Sequence, residues 1–251
     1  MAGTHAVVTG GGSGIGLAIA QALAGAGHSV TIMGRSVARL DAALATVPGG
    51  RAIACNVADP ADVARAFADA VAAAGPVAIL VNNAGVAPSA PFGRISLADW
   101  RQCIDINLMG AVHAIGQVVE PMKALPSARI INMASTAALK GYGYVTAYAA
   151  SKHALLGLTR SLALELAGSA ITVNAICPGF ADTEIIRDSV ARIVEKTGRT
   201  EAQALASFTA ANPQGRLIAP DEVAGAVLWL ISDAARSVTG QAIAVAGGEV
   251  M

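Results

Sequence analysis

The stretch Ala6-Val-Val-Thr9-Gly10-Gly-Gly-Ser13-Gly14-Ile15-Gly16 decides the fold. An apolar run ends in a glycine-rich turn, and the chain passes directly into an alanine- and leucine-rich segment, Ile15 to Ala26, closed by Gly27. Glycines let the backbone turn sharply and let a ligand approach it closely. The first turn of a helix offers free N–H groups and a positive dipole end to a pyrophosphate. The spacing is Thr-Gly-x-x-x-Gly-x-Gly, not G-x-G-x-x-G. Outside its context it would be a flexible turn. Between a strand and a helix it predicts a dinucleotide site built from Gly10, Ser13, Gly14, Ile15 and Gly16.

The same alternation continues along the chain. Ser29–Met33, Arg51–Cys55, Ala78–Val81, Arg129–Ala134, Ala170–Ile176 and Ala242–Val245 join Ala6–Thr9 as about seven strands. Helices are expected over Val37–Val47, Leu97–Lys123, Ala147–Ala167 and Asp221–Ile231. Near-continuous apolar runs indicate strands covered on both faces. Strands alternating with helices imply right-handed crossovers and a doubly wound parallel sheet. The expectation is an α/β, single-domain Rossmann-type sheet with helices on both faces, spanning residues 1–251 without linker or repeat.

Composition narrows the function. The 251 residues carry 17 Lys plus Arg against 17 Asp plus Glu, so the zero net charge indicates neither nucleic acid nor an acidic membrane surface as a partner. Mean hydropathy is high at +0.57. Yet runs such as Val223–Ile231 fall short of the roughly 18 apolar residues a spanning helix needs. A charge content of 14% suits an oligomer that hides part of its surface. Met1–His5 leads into a strand without the marks of a signal peptide. Cys55, Cys103 and Cys177 are far apart and lack ligand-spaced histidines. They read as reduced thiols in a cytoplasmic protein with no metal site.

Cofactor choice turns on the end of the second strand. An acidic residue there would hold a ribose 2′-hydroxyl and select NAD. Here Met33 is followed by Gly34-Arg35-Ser36, and the nearest carboxylate, Asp41, lies within the next helix. Arg35 can clamp a 2′-phosphate with its planar fork, which favours NADP(H). If Arg35 only stacks on adenine, NAD(H) serves as well. Asn56 and Val57, after the third strand, offer a short polar side chain and backbone to the adenine. Asn82-Asn83-Ala84-Gly85, after the fourth, give close access to a ligand.

The chemistry is expected in Ser135-Thr-Ala-Ala-Leu-Lys-Gly-Tyr-Gly-Tyr-Val-Thr-Ala-Tyr148-Ala-Ala-Ser-Lys152. Residues four apart share a helix face, with Cβ atoms about 5–6 Å apart, so the Lys152 ammonium can sit beside the Tyr148 phenol. A free phenol titrates near pH ~10; a fixed positive charge is expected to bring that down. Ser135, at the end of an apolar strand, could donate to the same substrate oxygen. Taken alone, Tyr-x-x-x-Lys is common by chance. Asn107, in an apolar part of its helix, reads by itself as a satisfied structural polar group. His153 points about 100° away from Lys152 and reads as structural.

Thr9-Gly-x-x-x-Gly-x-Gly16, Asn82-Asn-Ala-Gly85, Asn107, Ser135, Tyr148-x-x-x-Lys152, Pro178-Gly179 and Thr183 stand in one order over the whole chain. In these the sequence resembles the short-chain dehydrogenase/reductase family, in its compact single-domain branch. The resemblance implies catalytic roles for Ser135, Tyr148, Lys152 and Asn107. Asn107 would hold a water that links Lys152 to solvent, and Lys152 would also bond the nicotinamide ribose. Pro178, Gly179 and Thr183 would surround the nicotinamide. Asn56 departs from the family's usual Asp. The implied reaction interconverts a ketone and a secondary alcohol with NAD(P)(H). A cofactor-binding regulator without turnover is the remote alternative, and the four intact catalytic positions argue against it.

Asp182–Asn212 is the least regular part of the chain and the expected substrate lid. It carries Ile185, Ile186, Val190, Ile193 and Val194 at helical spacing, with Arg187, Arg192, Lys196 and Arg199 between them. These cations suit a phosphate-bearing substrate such as an acyl-CoA, though a solvated basic face would look the same. The lid, Asn212–Arg216 and the Val245–Met251 tail are similar to ketoreductases and 3-hydroxyacyl-thioester dehydrogenases of the family. Secondary-alcohol dehydrogenases for free ketones share much of this. A homotetramer is expected, pairing Leu97–Lys123 with Ala147–Ala167 across one axis and using Asp221–Ile231 with Ala242–Val245 across another.

Overall fold

The computed structural model describes residues 3–251, and of Ile185 the backbone alone; Met1 and Ala2 lie outside the described residues. The chain runs β1 (His5–Thr9), α1 (Gly14–Gly25), β2 (Ser29–Gly34), α2 (Val37–Leu44), β3 (Arg51–Ala54), α3 (Pro60–Ala74), β4 (Val77–Asn82) and α4 (Leu97–Ile104). It continues through α5 (Gly110–Lys123), β5 (Ala128–Met133), α6 (Thr146–Glu165), β6 (Ile171–Pro178), α7 (Glu184–Thr197), α8 (Glu201–Thr209), α9 (Pro220–Ile231) and β7 (Ala242–Val245).

The seven strands form one sheet in the order β3-β2-β1-β4-β5-β6-β7, and every neighbouring pair is parallel. Strands β1, β4, β5 and β6 are buried along their whole length, because helices cover both faces. Ile19, Leu23, Val223, Val227 and Leu230 pack α1 and α9 on one face; Phe67, Ile115, Val118, Met122 and Leu166 fill the other. The order reverses between β1 and β4. A doubly wound sheet opens a crevice at such a switch point, beyond the carboxyl ends of its strands.

Four elements differ from the sequence reading, the first being α3, which that reading left unassigned. The helix expected over Leu97–Lys123 is interrupted by a π turn, Asp105–Met109, between α4 and α5. Such a turn adds a residue to the helical repeat and is frequent at functional sites; here it holds Asn107 buried. Helix α2 stops at Leu44, short of Val47. The segment 182–212 is mostly regular: α7 ends at Gly198 in the left-handed conformation, φ +67°, and α8 begins with a Thr200–Gln203 capping box. Ile186, Val190 and Ala204 form a small core of their own with Phe180, Ile193, Val194, Phe208 and Leu217 around them. The side chain of Ile185 lies outside what is described.

Candidate active site

The glycine turn is locked to the end of β4. Thr9 Oγ1 accepts from Asn83 N at 3.0 Å and Ala84 N at 3.2 Å, and Asn83 Nδ2 donates to Thr9 O and Gly10 O, both at 3.1 Å. Asn83 therefore spends its amide nitrogen on shaping the turn, and its side chain is a support for the cofactor loop. Gly10 has φ +66°, and a Cβ there would meet Ala84 Cα at 2.9 Å. At Gly16 a Cβ would lie 2.2 Å from Gly10 O and 2.4 Å from Asn83 Nδ2, so α1 packs directly on the turn. Ile15 sends its side chain to the core. Ser13 makes no side-chain cap bond and the first turn of α1 holds no carboxylate, which leaves its N–H groups for an anion.

A cleft of about 490 Å³ opens beside this turn, lined by Gly10, Ser13, Arg35, Asn56, Val57, Ala84 and Gly85 among others. Its chemistry fits the adenosine half of a dinucleotide: bare glycine backbone, uncapped helix N–H groups and an exposed guanidinium. The sequence reading missed Arg39, which also lines the cleft and pairs with Glu184 on α7 at 3.3 Å. Its position was the available signal: a second arginine in the first turn of the helix that follows β2, three residues after the Ser36 cap. Asn56 Oδ1 accepts from Ala58 N, and Asn56 N donates to Asp62 Oδ2 at 2.7 Å. That bond and the Arg65 guanidinium hold the Asp62 carboxyl below its usual range.

The residues expected to carry the chemistry lie at the end of β5 and the head of α6. Ser135 lies close enough to the Tyr148 phenol to act on its pKa, and Ser135 Oγ accepts from Ala137 N at 3.1 Å. Lys152 is buried; its ammonium donates to Met133 O at 2.6 Å and sits 5.6 Å from the Tyr148 ring centroid. The expected lowering of the tyrosine pKa is overturned. Desolvation pushes the Tyr148 phenol up, with nearby Ser135 acting the other way, and the partly exposed residue stays protonated at neutral pH. Burial also brings Lys152 down to about 8. The lysine is committed to a backbone carbonyl beside the ring.

Asn107 is anchored at both ends of its amide. Oδ1 accepts from Val86 N at 2.8 Å, and Nδ2 donates to Val86 O and to Ser151 Oγ, both at 2.9 Å. The side chain thus ties β4's trailing loop to α6 next to Lys152. Gly85 lies over this junction: a Cβ on it would meet Asn107 Oδ1 at 3.3 Å and Lys152 Nζ at 3.6 Å. Pro178 closes β6, and Gly179 N donates to Val245 O at 3.0 Å. Thr183 precedes α7, and its Cγ2 would lie 3.2 Å from a Cβ on Gly14. Glycine turn, Thr183, Gly85 and the Ser135–Tyr148–Lys152 group are therefore strung along one carboxyl-end crevice. Among the described residues no cluster of three or more His, Cys, Asp or Glu could hold a metal ion, and no helix is long and apolar enough to cross a membrane.

A parallel sheet with a dinucleotide crevice at its switch point, and a serine, a tyrosine and a buried lysine at its edge, defines an NAD(P)-dependent oxidoreductase of the CH–OH/C=O class. The family model described as Enoyl-(Acyl carrier protein) reductase matches residues 10–249, and the chain belongs to the short-chain dehydrogenase/reductase family. It is 34% identical over 250 residues to a D-beta-hydroxybutyrate dehydrogenase of Rhizobium meliloti, covering 97% of each chain. It is 36% identical over 252 residues to a 3-oxoacyl-[acyl-carrier-protein] reductase of Synechocystis, covering 98% of this chain and 96% of the relative. A phenylalanine-to-tryptophan variant of actinorhodin polyketide ketoreductase, solved with NADPH, superposes with a TM-score of 0.94 at 34% identity over 99% of both chains. The chain is an oxidoreductase interconverting a ketone and a secondary alcohol.

Proposed function

We propose that this chain is an NADP(H)-dependent ketoreductase of 3-oxoacyl thioesters, carried on coenzyme A or a carrier protein. The observation that carries the reading is Tyr148 set beside Ser135 and the buried Lys152, whose ammonium lies 5.6 Å from the ring centroid. Gly10, Ser13, Gly14 and Gly16 would hold the pyrophosphate, with Ile15 packing α1 beneath it. Arg35 would take the 2′-phosphate, Asn56 and Val57 the adenine, and Ala84, Gly85, Pro178, Gly179 and Thr183 the nicotinamide half. When bound, the reduced nicotinamide supplies a hydride to the carbonyl carbon.

The chain's own groups manage the oxygen. Ser135 and Tyr148 receive the carbonyl oxygen as two donors of a small oxyanion site. Tyr148, held protonated by its surroundings, gives its proton to the developing alkoxide. The alkoxide that develops is a far stronger base than a phenolate, so the transfer is downhill. Lys152 stabilises the phenolate left behind, and Asn107 fixes the loop and helix that flank it. Both ends of the Asn107 amide are engaged, so a water linked to Lys152 would have to use other acceptor capacity of this residue, such as its main-chain carbonyl. General acid–base assistance of this kind contributes ~10²–10⁴-fold.

Residues 182–212 are read as the substrate lid, its own small core allowing α7 and α8 to move as a unit. Arg187, Arg192, Lys196 and Arg199 are exposed on it, as a phosphate-bearing carrier requires. The carrier-protein reductase among the relatives points the same way. Reduction of a free ketone or hydroxy acid is the second reading, and the hydroxybutyrate dehydrogenase relative favours it. A cytoplasmic homotetramer is the expected form. NADPH oxidation by a panel of 3-oxoacyl thioesters and matched free ketones tests the proposal. Thioesters should give the higher kcat/KM, and Tyr148→Phe should lose at least ~10²-fold in kcat while binding NADPH within a few-fold. A variant that keeps a tenth of the rate removes Tyr148 from the proton-donor role.

A further inference from the structure

The Val245–Met251 tail carries one acidic side chain, Glu249, and it is only 1% exposed. Burying a carboxylate costs several kcal/mol unless it is paired and hydrogen-bonded. Here the partners come from the segment between Ser135 and Tyr148. Glu249 Oε1 touches the Tyr142 hydroxyl and lies 3.2 Å from Lys140 Nζ. The same ammonium donates to Glu249 O at 3.3 Å and sits 4.9 Å from the Tyr142 ring centroid. The Tyr142 oxygen is also 2.6 Å from Oγ1 of Thr136, a buried residue next to Ser135. The phenol has one proton, and the carboxylate is the stronger acceptor. The order is therefore Thr136 hydroxyl to Tyr142 oxygen, and Tyr142 hydroxyl to Glu249.

The other side of the tail is fixed as tightly. Gly247 has φ +60°, and a Cβ there would lie 2.1 Å from Asn212 Oδ1; one on Gly248 would lie 3.3 Å from Pro213. Glu249 Oε2 has no partner and would lie 3.0 Å from a Cβ on Gly179. Tyr142 in turn meets Phe180 edge-on at 6.2 Å, and Phe180 meets Phe208 of α8 at 5.2 Å. The carboxylate thus joins the base of the lid, Gly179 and the serine-bearing segment.

We propose that Glu249 is a positioning residue for Ser135, acting through Tyr142 and Thr136, so that the seating of the C-terminal tail sets the geometry of the oxyanion site. The proposal rests on the ketoreductase reading of Ser135 and Tyr148. It also accounts for a buried charge in an otherwise apolar tail: Oε1 is the fixed end of a two-hydroxyl relay, and Lys140 neutralises it. A misplacement of about 1 Å at a catalytic group can cost up to ~10²-fold in rate.

The test uses Glu249→Gln, Glu249→Ala, Tyr142→Phe, Thr136→Val and the double variant Glu249→Ala/Tyr142→Phe in the full-length protein. Ketone reduction gives kcat and KM, NADPH fluorescence titration gives cofactor affinity, and melting gives Tm. Glu249→Ala, Tyr142→Phe and the near-isosteric Thr136→Val should each lower kcat about tenfold or more, with NADPH affinity within about twofold. Glu249→Gln still accepts from the phenol and should stay within about threefold of wild type. The double variant should be no slower than its slower parent, because both changes break one relay. Singles that lower Tm at wild-type kcat would make the cluster merely structural and overturn the proposal, as would a Gln variant as slow as the Ala variant, or multiplicative losses in the double. A wild type that reduces no ketone fails the ketoreductase reading instead, which keeps the two failures apart.

Discussion

Cofactor preference is expected to rest on two side chains and one missing one. Arg35 is exposed at the mouth of the cleft and makes no ion pair among the described residues. Arg39 lines the same cleft but already shares its guanidinium with Glu184 at 3.3 Å. Gly34 contributes no carboxylate, and a Cβ built on it meets only Leu40, at 3.5 and 3.8 Å. A side chain can therefore be placed at position 34 without displacing backbone. A charge-assisted contact to phosphate is worth about 1.5–3 kcal/mol. Arg35 is open to solvent, so the lower end applies, or about tenfold at ~1.4 kcal/mol per decade. Arg35→Ala should lower kcat/KM for NADPH about tenfold and for NADH less than about twofold. Arg39→Ala should cost NADPH less, since its charge is half-spent on Glu184. Gly34→Asp should reverse the preference, because its carboxylate repels a 2′-phosphate and accepts from a bare 2′-hydroxyl. Steady-state kinetics with both cofactors on the four proteins measure this. A wild type that already prefers NADH, or an Arg35→Ala loss equal for both cofactors, refutes the assignment of Arg35 to the 2′-phosphate.

Lys152→Met should abolish reduction yet stabilise the ligand-free fold near pH 7. The drop from 10.5 to about 8 corresponds to about 3 kcal/mol, less about 1 for the lost bond to Met133 O. The folded pKa is the lower one, so the unfolded chain holds more protons between pH about 8 and about 10.5. Wild-type stability should rise relative to the variant across that window, and urea titrations showing a constant gap would contradict it. Gly16→Ala should cost at least ~1–3 kcal/mol and most cofactor binding, because its Cβ meets Gly10 O at 2.2 Å; wild-type Tm and NADPH affinity would count against the packing argument. Light scattering should give four times the 25.0 kDa chain, since Leu164 is 81% and Trp229 43% exposed on the faces assigned to pairing; a monomer mass at micromolar concentration sinks it.

What the sequence disclosed was whatever depends on near neighbours along the chain. Strands β1, β4, β5 and β6 are mostly apolar because both faces are covered, and the glycine turn is legible in Gly10 and Gly16, where a Cβ would collide with backbone. Gly198 and the Thr200–Gln203 box lay open to the same reading, and would have resolved 182–212 into α7 and α8. Asn107 was read alone as a satisfied polar group, and its amide is bonded at both ends. The π turn that holds it there could not be read, because its partners Val86 and Ser151 are 21 and 44 residues away. The tyrosine pKa failed for a related reason. Spacing of four puts Lys152 beside Tyr148, as expected, but whether charge or desolvation wins is decided by how much of the fold surrounds the pair. Glu249 is the extreme case, 107 residues from Tyr142 and 109 from Lys140. One hint was local: a lone carboxylate in an apolar tail must either face water or find partners. Only the folded chain shows that its partners belong to the segment that follows Ser135.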